Sequence, residues 1–191
     1  MTLDALACLA DSPAEPAGHS LPAVGTEAFR DAMRHLAGAV SIVTAGRGAD
    51  RNGLTATSLV SLSVDPPTIL VCVNRSASAW PLLLREGRFG VNVLGAAHTP
   101  IADRFAGRGG LKGADRFTGA NWITLHTGAP ILAGALVALD CELEERIERH
   151  SHAILIGRVR ALHGLEDHAP LLYWRGAYGA ISPGAENGRE P

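Results

Sequence analysis

From Ala135 onward the chain alternates, and that alternation limits the possible folds more than any other feature. Val137, Leu139, Cys141, Leu143 and Ile147 fall on one side of an extended segment, with Asp140, Glu142, Glu144 and Glu148 on the other. A period of two is that of a strand with one face buried and one wetted. Arg149-His150-Ser151 reads as a turn, and His152 to Leu162 as the returning partner. Upstream, Val40 to Ala45 is β-branched and strand-like, and Arg47 to Gly53 carries hairpin turn residues. Gly53 to Val64 reads as one polar strand that turns apolar and ends at Asp65-Pro66-Pro67. Thr68 to Val73 is a continuous apolar run, expected to be buried on both faces, and Phe89 to Leu94 is a further strand.

Helical patterning is brief. Thr26 is placed to cap a helix carrying Phe29, Met33 and Leu36 on one face and stopping at Gly38. Ser78 to Arg85 and Thr99 to Phe105 are two short helices, with Pro81 and Pro100 in their first turns. Gly107 to Gly119 reads as a glycine-rich surface loop. β patterning with only short helices predicts a mainly β fold, a small antiparallel barrel with helical decoration rather than a doubly wound sheet.

The chain has 191 residues, enough for one compact domain and too few for two of full size. The organisation expected is a flexible N-terminal arm over 1–25, one domain over 26–181 and a C-terminal tail over 182–191. The formal net charge of −2 implies no basic surface, so nucleic acid is not an expected partner. No apolar run approaches the ~20 residues of a membrane-spanning helix. Cys8, Cys72 and Cys141 are odd in number and widely spaced, which fits a reducing cytoplasm better than a disulfide framework.

No G-x-G-x-x-G, Walker lysine motif, G-x-S-x-G elbow or H-E-x-x-H is present. Four other segments could carry chemistry. Thr55-Ala56-Thr57-Ser58, continuing to Ser61, is dense in small hydroxyl residues beside an apolar strand. Such a run lets a planar ligand approach the backbone, or simply satisfies local polar groups. Asn74-Arg75-Ser76-Ala77-Ser78 combines a cation, hydroxyls and the start of a helix, the elements of a phosphate site or of an ordinary N-cap. His150 and His152 share a strand face as a metal pair would, but no third ligand of matching spacing is evident. Leu171 to Tyr178 holds three of the nine aromatic residues, as a stacking wall or as core closure.

Taken in order, these segments carry a resemblance. Thr55-Ala56-Thr57-Ser58 leads through Ser61-Leu62-Ser63-Val64-Asp65-Pro66-Pro67 into Leu70-Val71-Cys72-Val73-Asn74-Arg75-Ser76. Phe89-Gly90-Val91-Asn92-Val93-Leu94, Arg104-Phe105-Ala106, Asp115-Arg116-Phe117, Ile156-Gly157-Arg158-Val159 and Pro170 to Tyr178 follow. The series resembles the short-chain flavin reductase family, the reductase components of two-component flavin-dependent monooxygenases, from about Ala28 to Ile181.

The resemblance implies a split β-barrel of the FMN-binding, Greek-key kind, assembled as a homodimer. It implies reduction of FMN or FAD by NADH or NADPH, with hydride passing from nicotinamide C4 to flavin N5 and the reduced flavin going to a separate oxygenase. Carried over by position, Thr55, Ala56, Thr57, Ser58 and Ser61 contact the isoalloxazine and ribityl chain. Asn74, Arg75, Ser76 and Ser78 hold the flavin phosphate, with Arg75 as the main cation. Phe105 and Ala106 line the flavin site, Tyr178 stands at the flavin edge, and His152 lies near the nicotinamide as the catalytic candidate. Where the family commonly has Gly-Asp-His, this chain has His150-Ser151-His152, so a carboxylate beside the nicotinamide is replaced by a hydroxyl. Alternatives are a flavin carrier without turnover, a reductase of another acceptor such as a corrinoid, and a metal enzyme using His150 and His152.

Overall fold

The structure is a computed structural model, and it describes residues 23–165 and 168–181. The expected tail over 182–191, and the arm up to residue 22, lie outside the described residues. The segment ending at Met33 contains α1 (Thr26–Met33), with Glu27 in its first turn where the positive helix end favours a carboxylate. It stops five residues short of Gly38. The next two carbonyls are taken elsewhere: Arg175 N–H donates to Arg34 O and the Trp174 indole to His35 O.

From Arg34 onward the chain is built of strands: β1 (Gly38–Ala39), β2 (Ser41–Arg47), β3 (Asp50–Ala56), β4 (Val60–Ser63), β5 (Thr68–Asn74), β6 (Arg88–Val93), β7 (Trp122–Thr124), β8 (Pro130–Leu132), β9 (Val137–Arg149), β10 (His152–Gly164), β11 (Leu171–Trp174) and β12 (Ala177–Ala180). Two short helices, α2 (Trp80–Glu86) and α3 (Thr99–Phe105), sit between them, and the expected 107–119 loop includes a 3₁₀ turn at Gly113–Phe117. Seven strands form one antiparallel sheet in the order β3-β2-β6-β9-β10-β5-β4. The β9–β10 hairpin at its centre is the one written in the alternation after Ala135.

The expected single strand from Gly53 to Val64 is two strands at opposite edges of this sheet, broken at Thr57-Ser58-Leu59. Only three residues separate Ala56 from Val60, so the two edges stand within about 14 Å of each other. That short crossing curls the sheet into a split barrel. Ser58 pins the seam: its hydroxyl donates to Cys72 O at 3.0 Å and accepts from Cys72 N–H at 3.1 Å. A side chain thereby does for one residue what a strand partner does for a ladder.

Two apolar clusters result. Val43, Ala45, Val71, Val73, Phe89, Val91 and Leu155 fill the barrel, closed by Trp80, Leu82 and Leu83 of α2. Outside it, Val40, Ile42, Phe105, Phe117, Ile131, Ala138 and Leu171 form a second cluster against the other face of β2 and β9. This second cluster corrects the reading of β9 as half-exposed throughout. Asp140, expected on the wetted face, is fully buried, and its carboxylate accepts from Thr127 N–H at 2.6 Å and from the Thr127 hydroxyl. β5 departs in the opposite sense: Ile69, Val71 and Val73 are buried, but Leu70 and Cys72 are only partly covered.

Candidate functional site

β3 is the element around which the expected site residues gather. Its even positions, Leu54 and Ala56, pack toward the barrel core. Its odd positions face the second cluster: Gly53 lies under the Phe105 ring, and the Thr55 hydroxyl donates to Ala102 O of α3 at 2.7 Å. A Cβ at position 53 would sit 2.8 Å from the Phe105 ring and 2.7 Å from Val43 O, so only glycine admits this approach. Beyond α3, the end of β3 opens on a cavity of about 230 Å³ lined by Val40, Thr55, Ala56, Thr57, Ala106, Arg108, Tyr173 and Tyr178.

The β11–β12 hairpin supplies the aromatic wall. Tyr173 and Tyr178 face each other across its two-residue turn, ring centroids 5.4 Å apart in an edge-on arrangement. Arg108 lies 5.7 Å from the Tyr178 ring centroid, and its guanidinium is held at 2.9 Å by Asp103. Burial raises the Tyr178 phenol above its usual value, and the Asp103 charge raises it further. The phenol therefore stays protonated and able to donate at neutral pH. The cavity is thus an apolar slot with hydroxyls on one side, a phenol on the other and a single tethered cation.

A second group forms where β5 meets the β9–β10 turn. His152 stands directly opposite Asn74 in the β5–β10 register, and Arg75 N–H donates to Ser151 O at 2.9 Å. Two segments far apart in sequence are thereby one surface. Asn74 Oδ1 accepts from both the N–H and the hydroxyl of Ser76, at 2.9 and 2.8 Å. Asn52 of β3 donates to the Ser78 hydroxyl at 3.4 Å. The Ser151 hydroxyl lies 2.9 Å from His152 Nδ1. The two groups adjoin: Ser58, next to cavity-lining Thr57, bonds Cys72, and Cys72 to Asn74 is about 7 Å along β5.

Several expected residues are placed differently by the structure. The Asn74–Ser78 segment is not itself a helix start: α2 begins at Trp80, and the N–H groups of Arg75, Ser76 and Ala77 already donate within the chain. Arg75 is not a free cation either, because its guanidinium is 2.8 Å from Glu148 and also donates to His150 O at 3.1 Å. Phe105 does not line the cavity. At 2 % exposure it is packed edge-on against Phe117 at 4.9 Å, and only the following Ala106 reaches the slot. Ser61 lies exposed on β4, outside the cavity lining, and Ser58 spends its hydroxyl on the seam. Among the described residues no group of three or more His, Cys, Asp or Glu side chains could hold a metal ion. Sequence reading missed Val40, Arg108 and Tyr173. Reading Arg175-Gly176 as a two-residue turn places Tyr173 opposite Tyr178, whereas nothing local marks Arg108.

Residues 33–182 match the flavin reductase like domain family. The FMN reductase (NADH) RutF 2 of Methylorubrum extorquens is 50% identical over 151 residues, covering 79% of this chain and 87% of that protein. The FMN reductase (NADH) RutF of Bradyrhizobium diazoefficiens is 41% identical, covering 83% and 87%. Among solved structures, BorF, the flavin reductase component of a bacterial two-component tryptophan halogenase, superposes with a TM-score of 0.76 at 32% identity, covering 83% of this chain and 99% of BorF. SgcE6, an NADH:FAD oxidoreductase of Streptomyces globisporus solved with NAD and FAD fragments, gives 0.75 at 29% identity, covering 84% and 94%.

Proposed function

The chain belongs to the flavin reductase like domain family of oxidoreductases, and on that premise we propose that it reduces FMN with NADH. The observation that carries the reading is the continuity of the Tyr173–Tyr178 slot with the Asn74–His152 surface through the Ser58 seam. At about 230 Å³ the slot is smaller than the ~300–1,000 Å³ that encloses a whole ligand. It suits a ring system, with a polar chain running out along the seam to Ser76, Ser78 and Arg75. FMN and NADH name the substrates because the Methylorubrum and Bradyrhizobium relatives carry both in their names.

Flavin and nicotinamide, when bound, would supply the two-electron chemistry, a hydride passing from nicotinamide C4 to flavin N5. The chain's own residues bind and orient. Tyr173 and Tyr178 form the wall against which the ring system lies. Arg108, the one charged side chain of the slot, favours negative charge developing on a bound ring. His152, opposite Asn74, orients the nicotinamide, with its Nδ1 directed by Ser151. No carboxylate occupies position 151, so that hydroxyl is the group that sets the ring.

Assembly as a homodimer belongs to the same proposal. Val60, Leu70 and Ile156 stand in register across β4, β5 and β10, and Cys72, Ile154 and Ile147 across β5, β10 and β9. They give the outer sheet an apolar stripe that none of the described elements buries. Transfer of reduced flavin to a separate oxygenase is supported by BorF, itself one component of a two-component system. The deciding assay is NADH oxidation with FMN, FAD, riboflavin or no flavin added, repeated with NADPH. NADH consumption that requires FMN is expected; none with any flavin overturns the reading. Sedimentation should give twice the 19.9 kDa chain mass, and Ile154→Glu should give the monomer.

A further inference from the structure

A second cavity, of about 360 Å³, shares no lining residue with the flavin slot. It is lined by Arg47 at the end of β2, Arg51 of β3, Trp122 and Ile123 of β7, and Leu125 and His126 of the following loop. Two guanidiniums and an imidazole face it, and no carboxylate lines it. The neighbouring cavity, which also borders Arg47 and His126, differs on this point, since Glu86 and Glu142 there answer Arg88 and Arg160.

The cations are held in place. Arg47 donates to Thr127 O at 2.8 Å, and Gly128 packs so closely that a Cβ there would lie 2.2 Å from the guanidinium. The loop presenting both residues is anchored from beneath by buried Asp140 through Thr127. Arg51 spreads its guanidinium 4.5 Å above the Phe117 ring. Its Nε–H is buried and has no acceptor among the described residues. A buried donor without a partner is costly and uncommon, so the protein leaves the bonding of this cation incomplete. The Trp122 indole, fixed by donation to Phe117 O at 3.0 Å, provides a flat apolar wall alongside Ile123 and Leu125.

We propose that this cavity is a second binding site, taking an organic phosphate with a planar body of mononucleotide size. Paired guanidiniums are suited to the oxygens of a phosphate dianion, and His126 adds a ring N–H as a third donor. The cavity volume falls at the lower end of small-molecule pockets, which fits a mononucleotide and excludes a dinucleotide. The site is separated from the flavin slot by the Phe105–Phe117–Trp122 aromatic cluster.

Calorimetric titration of the FMN-saturated full chain with adenosine 5′-monophosphate tests it. One site per chain is expected, with adenosine binding at least about tenfold more weakly, as the loss of charge-assisted bonds requires. Arg51→Gln and His126→Ala should each weaken the phosphate ligand severalfold or more while leaving FMN affinity within about twofold. His126 is exposed, so that variant keeps the test decisive if Arg51→Gln fails to fold. The site is overturned by no binding to the FMN-loaded chain, by displacement of the nucleotide with excess FMN, or by adenosine binding as well as its phosphate. It is equally overturned if neither variant changes the affinity.

Discussion

The guanidinium of Arg75 stands 2.8 Å from the carboxylate of Glu148, on the surface where β5 meets the β9–β10 turn. The main cation expected for the flavin phosphate therefore already has a counter-ion, and Arg146 lies 3.6 Å from that same carboxylate. A phosphate arriving at Ser76 and Ser78 must compete with Glu148 for Arg75. Removing the carboxylate charge in Glu148→Gln should tighten FMN by about two- to fivefold and leave riboflavin, which lacks the phosphate, unchanged. Fluorescence titration of the two flavins reads the difference. Stability should change by less than about 1 kcal/mol, because both partners are solvent-exposed enough for screening to leave the pair little net worth.

His152 lies across the sheet from Asn74 and bonds no group that holds the fold. His152→Ala should lower kcat/KM for NADH by about 10- to 100-fold, the scale of a misplaced reactant. FMN affinity should stay within about twofold. Equal loss of FMN and NADH affinity would assign His152 to the flavin site instead.

Gly53 carries the Phe105 ring directly on its backbone. Gly53→Ala forces that ring, and with it α3 and Ala106, away from β3. The expected cost is about 1–3 kcal/mol, only partly offset by the reduced chain entropy of alanine. Urea denaturation should show a lower midpoint, and FMN titration a weaker flavin slot in the same variant.

Burial pushes the Cys141 thiol up to about 12, with the Asp140 charge adding to the shift. At pH 8 a thiol reagent should leave Cys141 unmodified in the native state and react with it in the urea-unfolded chain. The folded chain binds this proton more tightly than the unfolded one, so its contribution to stability is complete below pH 9. It is lost as pH rises toward 12. Cys141→Ala should flatten the alkaline fall in stability over that window.

The Trp122–His126 strand and loop, the Arg108 slot and the Asp140 anchor were invisible in the sequence for a common physical reason. Each depends on a partner brought by tertiary closure: Thr127 for Asp140, Phe117 for Arg51, Asp103 and Tyr178 for Arg108. The alternation after Ala135 tells which side of β9 faces the barrel, but not that a second cluster covers the other side.

What the sequence determined by itself is local or periodic. The β9–β10 hairpin, the α3 limits set by Thr99, Pro100 and Phe105, and the breaks at Pro66 and Pro67 follow from side-chain spacing and backbone restriction. Only the tertiary structure decided that Gly53–Val64 splits between two sheet edges and that Ser58 bolts them together. It alone decided that Arg75 meets Glu148 and that Tyr178 meets Arg108. Those outcomes depend on curvature of the whole sheet, which no window of neighbouring residues encodes.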